Sequence, residues 1–257
     1  MATRSISLSG LINEFNITRE RILNIFYNVL NEVSNEYYSQ KLEKLFLFGL
    51  DNIDLFINIR VQSTLNPSQQ IHYYIEKWVT NYVKDRDNIK LLTPLKTYGE
   101  RDEALISRVR ASTRAEEEIL KNYIDGHYLF MSAENMNGAI LEEYLAEVLE
   151  PHGWLWCAGS VYRAIDFCYL GEEVKLLQVK NKYNTENSSS SAIRIGTTIQ
   201  KWNRLSRPRV STGLFNPIPN WEELRRIVNI PSVDNLLTEE SYLNFIETNS
   251  TNELDRL

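Results

Sequence analysis

Apolar residues recur every three or four positions through the first half of the chain. Beyond residue 160 they fall instead into the alternation of strands. Thr18 can cap a helix through ITRERILNIFYNVLNEV, where Ile22, Ile25, Phe26, Val29, Leu30 and Val33 share one face. A second helix is predicted over SQKLEKLFLFGL, ending near Gly49, and Pro67 suits the first turn of a third through IHYYIEKWVTNYV. The run ERDEALISRVRASTRAEEEILKNYI keeps the helical period with mixed charge on its wet face. Its arginines, Arg101, Arg108, Arg110 and Arg114, are read first as solvated ion pairs. Residues 1–130 are therefore expected to be mostly helical, with a boundary near Asp125 and Gly126.

The next helix, NMNGAILEEYLAEVLEPHGW, carries Leu141, Tyr144, Leu145, Val148 and Leu149 as one stripe and is stopped by Pro151 and Gly153. At about 100° per residue Glu142 borders that stripe, while Glu143 is expected to point into water. A β-hairpin follows: VYRAIDFCYL and VKLLQVK are rich in branched and aromatic residues, and LGEE between them turns on a glycine that supplies unusual backbone angles. Alternation puts Gln178, Lys180 and Lys182 on one face, and folding about Gly171 sets Asp166 opposite Leu177 or Gln178. The fold expected is α/β. A mixed sheet flanked by helices occupies about residues 130–230, and a helical tail over 232–257 frays into polar sequence. Divided in two, the chain gives a helical region 1–130 and a region 131–257 that holds the sheet and the helical tail.

Composition excludes more than it identifies. A chain of 257 residues with 43% hydrophobic and 24% charged residues suits one large or two modest globular domains. No apolar run approaches the ~20 residues that span a bilayer. The start MATRSISLSG has no signal-like apolar stretch, so a cytoplasmic location is expected. Cys157 and Cys168 lack metal-type spacing and read as two small buried thiols, and His72, His127 and His152 are isolated from one another. Charge is more telling. Residues 180–209 hold seven basic side chains against one acid, Glu186, inside a chain whose net charge is −6. A basic island in an acidic protein is a candidate polyanion site.

Chemistry converges beside that island. Asp166, Gln178 and Lys180 meet at one end of a strand pair, and Glu142 comes from the helix ahead. Hydrolysis of a phosphodiester with Mg²⁺ needs oxygen ligands for a hard cation, and a positive group near the attacking water and the developing charge. Asp166, Glu142 and the amide oxygen of Gln178 supply the first. Lys180 supplies the second.

Helix GAILEEYLAEVLEPHGW, strand AIDF and strand LLQVKNK resemble the PD-(D/E)XK nuclease core, with Gln178 where that pattern normally has an acid. The continuation KNKYNTENSSSSAIRIGT is similar to the segment after the catalytic lysine in type II restriction endonucleases of the SinI and AvaII kind. The resemblance covers Gly138 to about Arg209. It implies a restriction-endonuclease-like fold, with Asp166, Lys180 and Glu142 at the motif positions. It further implies Mg²⁺, a homodimer, and double-strand cleavage in a short palindrome of the GGWCC type, with a cognate DNA methyltransferase expected in the same system.

Base readout is expected from the polar cluster that follows Lys180: Asn184, Glu186, Asn187, Ser188, Ser189, Ser190, Ser191 and Arg194. These are the groups that bond base edges, Arg to guanine, Asn to adenine and carboxylate to the cytosine amino group. Lys182, Lys201, Arg204, Arg207 and Arg209 are expected on DNA phosphates. Two other readings stay open on the residues alone, a sequence-specific binder that does not cut and a structure-specific repair or junction nuclease. Carboxylates beside phosphate give a pure binder nothing, which favours the enzyme.

Overall fold

The structure is a computed structural model and describes residues 3–183, 197–213 and 215–256. Its N-terminal part holds helices α1 (Leu8–Phe15), α2 (Arg19–Val33), α3 (Glu36–Asp51), α4 (Pro67–Asp87) and α5 (Glu103–Thr113). The Thr18 hydroxyl accepts from the Arg21 amide, and Asn66 forms a capping box with Gln69 ahead of Pro67. Phe26 and Phe46 stack with centroids 4.0 Å apart, and Trp78 meets both edge-on. Two strand pairs depart from the helical reading of this half. β1 (Thr3–Ile6) lies antiparallel to β2 (Ile59–Gln62), and β3 (Leu95–Lys96) parallel to β9 (Leu254–Asp255) near the C-terminus. Four residues and two residues are too short for an alternation to stand out.

Helix α6 (Glu117–Leu149) spans the position near Asp125 and Gly126 where a break was expected. It runs unbroken through Asp125 and Gly126, because one glycine among good helix formers costs only about 1 kcal/mol. Among the described residues a single hydrophobic core joins Phe26, Phe46 and Trp78 to Leu145, Phe167, Leu177 and Trp202. Trp78 Nε1 donates to the Val161 carbonyl across that junction at 3.0 Å. Beside it, Gly159 sits at φ +68°, and a Cβ there would lie 2.4 Å from the Asn81 carbonyl oxygen, so α4 packs against bare backbone.

The main sheet has strands β4 (Trp154–Trp156), β5 (Phe167–Leu170), β6 (Val174–Lys182), β7 (Ile199–Ser206) and β8 (Ile218–Pro219), in that spatial order. Only β6 and β7 are parallel, so the sheet is mixed, as expected. The hairpin pairs Phe167 with Leu177 and Leu170 with Val174. Gly171 turns it for a different reason from the one expected. Its φ is not positive, but a Cβ would strike the Tyr169 ring at 2.4 Å.

Helices α7 (Trp221–Val228) and α8 (Glu239–Asn249) complete the fold. The tail does not fray as expected. Tyr242 of α8 is buried against the rings of Tyr144 and Trp221, and β9 then pairs with β3. Among the described residues no helix is long and apolar enough to cross a membrane.

Candidate active site

Asp166 is fixed where β5 begins. Its backbone N–H donates to Leu177 at 2.9 Å, and its carbonyl accepts from Cys157 at 2.8 Å. Since Phe167 faces Leu177, Asp166 takes the rung of Gln178, and its Oδ2 accepts from the Val179 amide at 2.7 Å. Glu142 reaches the same region from α6, with Oε2 accepting from the Trp156 indole at 3.0 Å. Each carboxylate thus has one oxygen held by an N–H of the protein. Burial raises both acids above their ordinary values. The Asp166 charge lifts Glu142 further, and the Lys180 ammonium opposes the rise on both. Glu142, Asp166 and Lys180 therefore share one electrostatic site.

Gln178 is 1% exposed, and its Oε1 is buried without a hydrogen-bond partner. A buried amide oxygen left without a donor costs about 1–3 kcal/mol. This orphan oxygen, beside two carboxylates of which one is raised by the other's charge, fits a hard cation better than it fits an empty protein core. Asp166, Glu142 and Gln178 are the residues that would hold it. The donor set includes only two acids, in keeping with the absence of any group of three or more His, Cys, Asp or Glu arranged for a metal among the described residues.

The frame around these groups is tied to the N-terminal helices. Glu150, at the end of α6, accepts from both Arg86 nitrogens at 2.7 and 2.9 Å and from Lys41 at 2.5 Å. Arg86 also lies 5.1 Å from the centre of the Trp156 ring, whose N–H holds Glu142. Asp85, one residue earlier on α4, accepts from the Gly159 amide at 2.9 Å. The orientation of Glu142 therefore rests on α4 through Trp156, a support that the sequence did not reveal. Glu143 departs from expectation. It is partly buried and accepts from the Lys90 amide at 2.6 Å, because the stretch after α4 folds back over α6. The two thiols are as expected, buried and unbridged, with sulfurs 3.9 Å apart.

The basic residues separate into different roles. Lys201 stands opposite Gln178 in the β6–β7 ladder, on the face of the site. Lys182 is paired with Glu134 at 2.6 Å, Arg207 is exposed over the Tyr183 ring, and Arg209 is exposed. Arg204 does not suit its expected role. It is 7% exposed, pairs with Glu239, donates to Asn181 Oδ1 at 2.8 Å and stacks over Tyr242, so it ties β7 to α8. The period-two alternation that puts Lys201 on the face of Gln178 turns Arg204 to the opposite, buried side. Asn184, Glu186, Asn187, Ser188, Ser189, Ser190, Ser191 and Arg194 lie outside the described residues.

A family model described as SinI restriction endonuclease matches residues 25–249. The chain belongs to the SinI restriction endonuclease family. The match takes in part of α2, all of α3 and α4, and the sheet, so all four residues of the site fall within the family's own span. Two relatives agree. The type II restriction enzyme Eco47I of Escherichia coli is 42% identical over 149 residues, covering 57% of this chain and 60% of that enzyme. The type II restriction enzyme SinI of Salmonella infantis is 41% identical over 150 residues, with the same two shares. The aligned part of the chain thus spans less than two thirds of either relative's length.

Proposed function

We propose that this member of the SinI family is a type II site-specific deoxyribonuclease, hydrolysing both strands of double-stranded DNA at a short palindrome, with GGWCC as the first sequence to test. One observation carries the reading: Asp166, Glu142, the unpartnered Gln178 oxygen and Lys180 meet at the end of one strand pair, in a chain of a restriction-endonuclease family.

Asp166 and Glu142 would hold Mg²⁺, with Gln178 as a neutral third donor. When bound, the cation supplies Lewis acidity at the phosphate and lowers the cost of generating the nucleophile from water. The protein's own groups do the rest. Val179 N–H and Trp156 Nε1–H orient the two carboxylates. The Lys180 ammonium, drawn to both acids, orients the attacking water and faces the negative charge that grows on the phosphoryl oxygens. Lys201, Lys182, Arg207 and Arg209 set the register of DNA through its phosphates, and the segment 184–194 reads bases. Cutting both strands of a twofold site calls for two such centres, hence a homodimer on DNA.

Incubation with plasmid and Mg²⁺ tests the reading on a gel. Discrete fragments are expected. A smear would mean cleavage without sequence choice, and a shifted but intact plasmid would leave only a binding protein.

A further inference from the structure

Asn203 pairs with Lys180 in the parallel β6–β7 ladder, as Lys201 pairs with Gln178. Residues in register share a face, so Gln178, Lys180, Lys201 and Asn203 form one block beside Asp166. Among the described residues five buried side-chain polar atoms lack a partner, and two of them, Gln178 Oε1 and Asn203 Oδ1, belong to this block. Two orphan acceptors flanking one catalytic lysine are a feature of the site rather than of the chain at large.

The two acceptors cannot serve the same purpose equally. Gln178 is on the rung of Asp166, where a cation would lie. Asn203 is one strand further away and directly beside Lys180. Its strand is firmly held, because its neighbours face the other side. Trp202 donates to the Asn220 carbonyl at 2.8 Å, and Arg204 is locked to Asn181 and Glu239. The Lys180 charge is balanced by Glu142 and Asp166 while those acids bear no ligand. Once the acids turn to a cation, the ammonium loses that hold but still carries three N–H donors.

We propose that Asn203 is a positioning residue for Lys180, its Oδ1 accepting one ammonium N–H when the carboxylates are engaged. This rests on the nuclease reading. One donor is then fixed, and the other two face the attacking water and the scissile phosphate. Asn203 itself touches neither.

Asn203→Leu keeps much of the shape and removes the acceptor, and Asn203→Asp keeps an acceptor. Single-turnover cleavage of a plasmid that the parent cuts is expected to slow about 10- to 100-fold in Asn203→Leu, the cost of a misplaced catalytic group. Asn203→Asp should recover most of the rate. Binding to the same DNA with Ca²⁺ in place of Mg²⁺ should be unchanged in Asn203→Leu, and the melting temperature should not fall, because an unpartnered buried acceptor is removed. A second readout needs no turnover: by NMR of the Ca²⁺–DNA complex, the Lys180 ammonium protons should exchange slowly in the parent and rapidly in Asn203→Leu. Asn203→Leu cutting at the parental rate would overturn the assignment and leave the nuclease standing. Equal losses of rate and binding, or no rescue by aspartate, would also overturn it. A parent that binds without cutting but shows the slowed ammonium would sink the nuclease reading while keeping the Asn203–Lys180 bond.

Discussion

Neutralising Glu142 should make the protein more stable and less active at once. In the absence of a cation Glu142 is a carboxylate pressed into a largely buried position near Asp166, with the Trp156 indole as a hydrogen-bond donor and Lys180 as its compensating charge. Glu142→Gln keeps an oxygen for Trp156 and removes the charge. Replacing a poorly compensated buried ion by a neutral group of equal size stabilises by about 1–2 kcal/mol. For a chain of this length each kcal/mol raises the melting temperature by about 2–4 °C. The pH dependence fixes the sign. The folded state keeps the Glu142 proton where the unfolded chain has lost it, so it binds more protons, and parental stability falls as pH rises from the ordinary value of 4.5 towards the raised one. The gap between variant and parent should therefore be small near pH 4 and full above the raised value. Thermal melts by circular dichroism across pH, without metal, measure the gap. Added Mg²⁺ should raise the parent's melting temperature by ligand linkage and leave the variant's nearly fixed. A variant that melts below the parent at neutral pH, or gains as much from Mg²⁺, would refute both the burial argument and the ligand role.

Four other outcomes are expected. Asp166→Ala and Lys180→Ala should each cut cleavage by several orders of magnitude, with specific DNA binding retained in Lys180→Ala by gel shift. Gln178→Glu should stay folded and cleave at lower Mg²⁺, read from a metal titration of the rate, but melt earlier without metal. Glu150→Ala should lose about 3–5 kcal/mol in urea unfolding, because Arg86 and Lys41 would stay buried without their partner. Lys201→Ala should weaken binding to all duplexes alike and flatten the salt dependence, whereas an effect confined to one sequence would make Lys201 a base reader.

Much of the site was legible because its parts are close in sequence. One helix, one hairpin and a period of two are enough to bring Glu142, Asp166, Gln178 and Lys180 together, and local pattern fixes all three. What failed was the part that depends on distant partners. Arg204 reads as one more cation in a basic strand until Glu239 and Tyr242 of α8 meet it from the other side. Trp156 reads as core, and only the packing of α4 and α6 shows that its N–H holds Glu142. Asn203 carried a faint signal, two residues after Lys201 and so on the same face. No pattern along the chain says that β7 runs parallel to β6 in the register that sets it beside Lys180.

Gln178 is best understood from the charge balance of the site's own residues. With a third acid in its place, three carboxylates would share one lysine and a buried setting that already raises both acids present. Like charges at close range in a poorly solvated site destabilise the fold until a cation arrives. An amide offers the same oxygen without that repulsion, at the expense of weaker attraction for the cation. Its orphan Oε1 is then the residue of the compromise, a modest desolvation cost in the resting protein in place of a larger electrostatic one. The helical half enters the same balance. Arg86 stacks on Trp156 and pairs with Glu150, so the positive charge that steadies the end of α6 also steadies the indole that orients Glu142. The N-terminal helices are in this sense part of the candidate site's scaffold, and among the described residues one core joins both halves of the chain.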